Sequence, residues 1–521
     1  MPQSPYHPIA LIIPSQIHLI VLAPYTSHKK TVYKYLKRLD KNKGAGPDRI
    51  HPVFINICAC SLSKPLTIIF NESLRSGVFP EKWKITKVVP VFKNGDSKNV
   101  INYRPISILS AFSKIFEAVV YPYLSSYFKP YLSENQHGFV KNRSTITNLI
   151  SYVGFLTEKV DTQLQVDAIY TDFSKAFDRV CHRTLLHKLS NYGFCGSMVG
   201  WFESYLRGRT NYVVLNGYRS DNYISSSGVP QGSHLGPWLF NVFINDLDQQ
   251  IRNSKVLLFA DDLKIARVIN CSNDSQFLQD DIDGLVNWCS INNVQLNPTK
   301  CYQISFTRKL SPFKMKYKIN KEELQIVDLI KDLGIFLDSK LTFIPQMDRM
   351  IEKASRTLGF ILRNSKTFKN ITTKKILFNT YVRSIIEYGS VKWSPQYKVH
   401  QLRIERIQKR FMRNLAYCSN INDKKLAGYN EKLKFFGVDS LPINVKPDFA
   451  VAIVKACGVL HNFVRDRDGY QVEDTDFITG LEDVLRQTQS RGGLTPNNIR
   501  NILSDYFVSN IGAVPWQMSK I

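Results

Sequence analysis

The chain has 521 residues, with 69 Lys and Arg against 43 Asp and Glu, a formal net charge of +26. That excess excludes an acidic, solvating chain and points to a polyanionic partner, most often nucleic acid. With 44% hydrophobic and 12% aromatic residues, the chain can bury a large core, which a disordered basic tail could not. Its nine cysteines show no C-x-x-C spacing, which fits free thiols in a reducing compartment and gives no zinc ribbon. Residues 9–24 are apolar but interrupted by Pro14, Gln16 and His18, and are shorter than a span of about 20 residues. No basic stretch precedes them, so neither a membrane partner nor a secretory signal is expected, and the location reads as nuclear or cytoplasmic.

Residues 1–27 differ in composition from the rest and read as a leader or the remnant of an upstream segment. Residues 28–39 are basic and helix-compatible, with Val32, Tyr33 and Leu36 on one side. Lys43-Gly44-Ala45-Gly46-Pro47-Asp48 is a loop, because Gly and Pro break any helix. Helix is expected to about Ser76, then a strand at Lys87–Phe92 ended by Asn94-Gly95-Asp96, then mixed helix to about residue 160. Leu164–Asp172 reads as a strand, followed by a helix over Phe173–Asp178 with Ser174 as its cap. Val256–Ala260 is an apolar strand that breaks at Asp261-Asp262 and resumes at Leu263–Val268, a hairpin pattern. From about residue 341 the chain reads as helical. Strands mixed with helices in this order give an α+β fold.

Two adjacent acids in an apolar hairpin are costly without a cation on them, although Asp is also a common turn residue. Asp172 ends another apolar strand, 89 residues before Asp261. If the two strands are neighbours, Asp172, Asp261 and Asp262 converge. With a substrate triphosphate they could hold two Mg²⁺ ions.

Tyr170-Thr171-Asp172-Phe173-Ser174-Lys175-Ala176-Phe177-Asp178, then Gly228-Val229-Pro230-Gln231-Gly232-Ser233, then Phe259-Ala260-Asp261-Asp262 resembles a reverse transcriptase. The match is to the type encoded by non-LTR retrotransposons, close to jockey-like elements, and it spans about residues 28–425. Further segments resemble the same family: Asn102-Tyr103-Arg104-Pro105-Ile106-Ser107, Gln136-His137-Gly138-Phe139 with Arg143-Ser144-Thr145, Leu296–Lys300, Leu333-Gly334-Ile335, and Glu387-Tyr388-Gly389 with Trp393-Ser394-Pro395. The resemblance implies a right-hand polymerase fold of fingers, palm and thumb, with an antiparallel palm sheet and a helical thumb. It implies an N-terminal extension and fingers over 28–130, a reverse transcriptase domain over 74–340 with its palm core at 131–340, and a thumb over 341–425. Residues 426–521 read as a helical region of unknown role.

The resemblance also implies roles. Asp172, Asp261 and Asp262, with the Phe173 carbonyl, would hold two Mg²⁺ ions, with Mn²⁺ as an alternative. Lys93 and Arg104 would grip the incoming triphosphate. Phe177 would be a steric gate favouring dNTPs over NTPs, which argues against an RNA-directed RNA polymerase. Gln231 and Gly232 would line the nucleotide, and Lys300 would assist protonation of departing pyrophosphate. Gly334 would form the primer-grip turn. The partners would be an RNA template, a DNA primer and dNTPs, with endonuclease activity supplied from elsewhere. The alternative is an inactive nucleic-acid-binding remnant of such an element. Gln346, where the family usually has His, and His234 and Trp238, where it tends to have aliphatic residues, hint at drift.

One feature of the expected thumb stands apart from the resemblance. Arg403, Arg406, Lys409, Arg410 and Arg413 fall within an arc of about 120° on a helix, opposite Ile404, Ile407 and Phe411, so one face can pack while the other tracks phosphates. Charge is also unevenly distributed. Residues 1–130 carry 18 basic and 6 acidic side chains, 131–340 carry 23 and 21, 341–425 carry 18 and 5, and 426–521 carry 10 and 11. Two basic blocks therefore flank a nearly neutral centre.

Overall fold

In a computed structural model, residues 27–368, 370–395, 397–419 and 428–441 are described. They fall into two compact units. The first takes in described residues up to 148 with 166–305 and 311–327; the second takes in 149–165, 306–310 and those from 328 onward. The expectation for residues 1–27 lies outside the described residues except at Ser27, and that for 426–521 lies outside them except over 428–441.

The first unit begins with the helix Lys29–Lys37, which buries Val32 and Leu36, one turn apart, and leaves Lys34 and Lys37 exposed. Asn56 donates to the Lys37 carbonyl at 2.8 Å and so caps its end. The helices Pro52–Ile57 and Ala59–Ser76 follow; the latter stops at Gly77, whose φ of +71° suits a left-handed cap. The helix Ala111–Phe128 is apolar on most sides because it crosses the core. Its Phe116 stacks on Phe70 at 4.4 Å and meets the Trp201 edge at 5.4 Å. Trp238, a departure from the resemblance, is absorbed by this core, 5% exposed and stacked on Phe202.

Two sheets carry the rest of the unit. In the first, Thr86–Phe92 pairs antiparallel with Tyr103–Leu109 and runs parallel to Thr210–Leu215. The expectation of helix through this region is corrected at Tyr103–Leu109. Pro105 cannot donate within a helix and sits opposite Pro90, while Ile106 and Ile108 favour the strand. The second sheet has the order Gln325–Ile326, Tyr302–Phe306, Gln165–Thr171, Asp262–Ile269, Lys255–Phe259. Gln165–Thr171 sits at its centre and is buried along almost its whole length. The expected helix over Phe173–Asp178 is also corrected. Ser174 donates its N–H to the Gln295 carbonyl instead of capping, and Lys175 has φ +52°, so the segment is a run of turns and helix starts only at His182.

The second unit contains a hairpin, Leu329–Asp332 with Ile335–Asp338, and then helices, as the sequence suggests. Ile344–Asn364 and Lys398–Cys418 are the long ones. Phe378 stacks on Phe411 at 4.1 Å. Gln346 is buried and accepts the Phe336 N–H at 3.0 Å, a structural task that glutamine performs well. No helix among the described residues is long and apolar enough to cross a membrane.

Phe116 packs among the rings of Phe70, Phe79, Trp83 and Trp201, so truncating it leaves a cavity that cannot collapse around rigid aromatics. Phe116→Ala should lower stability by about 3–5 kcal/mol, read as a shift of the urea midpoint without a change of slope.

Candidate active site

The sheet order makes Asp172 and Asp261 neighbours. Asp172 follows directly on the central strand, and the adjacent strand, Asp262–Ile269, is one arm of the hairpin whose tip carries Asp261. Burial pushes the Asp261 carboxyl above the ordinary carboxylate range, opposed by its own backbone N–H; Asp172 raises it further, while Lys93 and Arg104 draw it down. Asp172, Lys93 and Arg104 therefore each reach Asp261 in space, although 168 positions separate Lys93 from Asp261. Lys300 Nζ stands 3.7 Å from Asp172 Oδ2, with both side chains well exposed, so the pair contributes little to stability.

Asp262 follows on the outgoing strand, paired across the hairpin with Phe259, and is exposed. Among the described residues, no three His, Cys, Asp or Glu side chains are grouped as metal ligands would be. What the geometry brings together is a pair of carboxylates, Asp172 and Asp261, whose mutual repulsion a cation would relieve. Hard cations prefer such oxygen donors, so the pair fits a divalent ion. Phe173 lies next to Asp172, held by a bridge to Leu296.

Phe177 is half-buried. Its ring stacks on Phe240 at 4.4 Å and meets Phe139 edge-on at 6.1 Å. Its carbonyl accepts the Val229 N–H at 2.9 Å, which ties it to the Pro230-Gln231-Gly232 loop. Gln231 donates its amide to Asp178 Oδ1 at 2.8 Å, and its carbonyl accepts the Ser107 N–H at 2.7 Å. Gly232 has φ +124°, and a Cβ there would lie 2.6 Å from the Ser107 carbonyl oxygen, so only glycine fits. Arg104 lies on the same strand as Ser107, Lys93 directly follows the strand paired with it, and both are exposed.

Sequence reasoning missed Glu117. It is fully buried and accepts the His234 N–H at 2.7 Å and the Leu235 N–H at 3.3 Å, fixing the chain just beyond Gly232. The available signal was the one acid in the largely apolar helix Ala111–Phe128.

In the second unit, Arg403, Arg406, Arg410 and Arg413 line a cavity of about 340 Å³ with Ile351 and Leu358. Arg403 bonds Asp348 at 2.7 Å. Among the described residues, Arg406, Arg410 and Arg413 have no acidic partner. Lys409 does not line this cavity: it pairs with Glu405 at 2.9 Å and lies 5.1 Å over the Tyr429 ring. Gly334 has φ +92°, and the Tyr388 ring packs against it while its hydroxyl donates to the Leu333 carbonyl at 2.6 Å.

The raised Asp261 carboxyl fixes a pH dependence. A carboxyl whose folded pKa exceeds its unfolded value favours folding when protonated, and that contribution is lost as pH rises through the folded pKa. In the presence of a chelator, Asp261→Asn should therefore raise the melting temperature at neutral pH. The gain should shrink as pH falls through the folded pKa of Asp261 and the carboxyl becomes protonated. Differential scanning fluorimetry across pH reads this directly.

Residues 93–439 match the family model described as reverse transcriptase (RNA-dependent DNA polymerase). Among curated relatives, the chain is 29% identical over 401 residues to "Probable RNA-directed DNA polymerase from transposon BS" of Drosophila melanogaster, covering 74% of this chain and 44% of the relative. It is 27% identical to "Probable RNA-directed DNA polymerase from transposon X-element" and 26% identical to "RNA-directed DNA polymerase from mobile element jockey", both of the same fly, covering 74% of this chain and 44% and 43% of those relatives. The chain thus spans less than half the length of these relatives. A solved structure titled apo telomerase from Candida tropicalis, truncated from its C-terminal domain, aligns over 55% of this chain and 59% of that one, at 13% identity and a TM-score of 0.37. The matched segment contains Asp172, Asp261 and Asp262 and covers more than half of the sequence: the chain belongs to the reverse transcriptase family.

Proposed function

We propose that this chain is the polymerase portion of a non-LTR retrotransposon protein, extending a DNA 3′-hydroxyl on an RNA template. The observation that carries the reading is the convergence of Asp172 and Asp261 at the ends of adjacent strands, in the combined field of Lys93 and Arg104. On this reading the first unit supplies fingers and palm, and the helices of the second supply the thumb.

Asp172 and Asp261 would hold Mg²⁺ or Mn²⁺, with Asp262 as a looser ligand and the Phe173 carbonyl as a further donor. Bound there, two such ions would stabilise the attacking 3′-oxygen and the departing pyrophosphate. The 3′-oxygen forms a bond to the α-phosphorus of the dNTP, and the bond from that phosphorus to the pyrophosphate oxygen breaks. Lys93 and Arg104 would orient the triphosphate, and Lys300, 3.7 Å from Asp172, would give the leaving pyrophosphate a proton. Phe177, whose ring is braced by Phe240 and Phe139, would act as the gate against a ribose 2′-hydroxyl. Gln231 and Gly232 bring backbone close to the base pair being formed. Gly334 shapes the turn that grips the primer. Arg403, Arg406, Arg410 and Arg413 follow the phosphates of the duplex, and Lys409 adds charge from the neighbouring face. Priming would come from nicked chromosomal DNA, with the nick supplied by an activity from elsewhere.

Purified protein should add dNTPs to a DNA primer annealed to RNA in the presence of Mg²⁺, and a variant carrying Asp261→Ala and Asp262→Ala should give background only. Background from the unmutated protein would favour a nucleic-acid-binding remnant. Phe177→Ala should let ribonucleotides compete, and equal use of both sugars by the unmutated protein would remove the gate assignment. Removing Arg406 and Arg410 together should lower the slope of log affinity against log salt by about 2, close to one for each phosphate no longer neutralised.

A further inference from the structure

Gln136 is 2% exposed and spends its whole side-chain amide on one residue and one neighbour. Its Oε1 accepts the Ala260 N–H at 2.9 Å and the Gly138 N–H at 2.7 Å, and its Nε2 donates to the Ala260 carbonyl at 3.3 Å. Ala260 is the first residue of the two-residue hairpin tip and stands directly before Asp261. The ladder closes at Phe259 and Asp262, so neither backbone group of Ala260 has a cross-strand partner. Ala260 also has φ +57°, a conformation that costs a residue with a Cβ about 1 kcal/mol and that two-residue hairpins normally give to Gly or Asn. One buried amide thus satisfies both polar groups of a strained residue.

The loop that carries Gln136 is itself fixed. The His137 N–H donates to the Leu258 carbonyl at 2.8 Å and the Leu258 N–H donates to the Asn135 carbonyl at 2.9 Å, so the loop covers the outer edge of the Lys255–Phe259 strand. Arg143 donates to the carbonyls of Ser133 and Gln136 at 2.7 and 2.6 Å. Gly138 passes so close that a Cβ would lie 2.2 Å from the Ala260 nitrogen, and Asn241 holds the Gly138 carbonyl at 2.9 Å.

We propose that Gln136 is a positioning residue: its amide clamps the Ala260 peptide groups and thereby sets where the Asp261 carboxylate stands toward Asp172 for a divalent cation. The cation part rests on the function proposed above; the clamp rests on the hydrogen bonds alone. Glutamate could keep the two accepted bonds but could not donate to the Ala260 carbonyl. Methionine keeps the length and loses all three bonds, leaving buried N–H groups unpaired.

The test measures Mn²⁺ binding by electron paramagnetic resonance, hydrogen exchange over residues 257–263, and primer extension, for the full chain and for Gln136→Met, Gln136→Glu, Asp261→Ala and Asn148→Ala. Asn148 donates to the Leu258 carbonyl at 3.0 Å, so its loss removes a buried bond to the same strand without touching Ala260. Gln136→Met should weaken Mn²⁺ binding by about tenfold or more, as loss of a group that orients a metal ligand does. It should also speed exchange at the tip and lower kcat with little change in KM for dNTP. Gln136→Glu should fall between, and Asn148→Ala should stay within about twofold of the unmutated protein for Mn²⁺. Equal loss of Mn²⁺ affinity in Asn148→Ala and Gln136→Met, or unchanged affinity in a folded Gln136→Met, would overturn the proposal. Mn²⁺ binding that depends on Gln136 in a protein that extends no primer would support the clamp and remove the polymerase reading.

Discussion

Two carboxylates at the ends of adjacent strands repel each other, and the rest of the first unit is arranged around that repulsion. Asp172 is fixed by the central strand of a sheet, and Asp261 by the tip of the hairpin beside it. The Asn297 N–H holds the Asp172 carbonyl at 2.8 Å, and Gln136 holds Ala260 directly before Asp261. The site is therefore built to be completed by positive charge. Lys93 and Arg104 supply part of it from the antiparallel pair of the other sheet, and Lys300 supplies part from beside Asp172. What remains suits a divalent ion, because carboxylate oxygens are its preferred donors.

Residues 131–340, which contain both acids, balance 23 basic against 21 acidic side chains, while the basic blocks before and after them carry attraction for a polyanion. Within the second block, the arginines that line the cavity of about 340 Å³ are aligned by helix periodicity, one turn after another along Lys398–Cys418. Ile351 and Leu358 line the same cavity, so apolar and cationic groups share one surface of the helix pair.

The sequence made the central strand, the hairpin and its acids legible because each is a local pattern: an apolar run, a break at two acids, an apolar run again. It also made the alternation of Arg406, Arg410 and Arg413 with Ile404, Ile407 and Phe411 legible. It misled where a local signal is answered by a distant partner. Ser174 looks like a helix cap, yet its N–H goes to Gln295 and the helix does not form there. Lys409 lies on the same arc as the arginines, yet Glu405 and Tyr429 draw it to another face. Glu117 and Gln136 act on residues 117 and 124 positions away, and no periodicity within their own segments reports such a bond.

The most direct measurement of the shared cation site is a Mn²⁺ titration of Asp172→Asn, Asp261→Asn and the double variant beside the unmutated chain, with thermal melts to confirm folding. If the two carboxylates hold one charge between them, either substitution alone removes most of the affinity, and the double variant is scarcely worse than the singles. Tight binding that survives Asp172→Asn, or losses that simply add, would mean that the two acids do not act as one site.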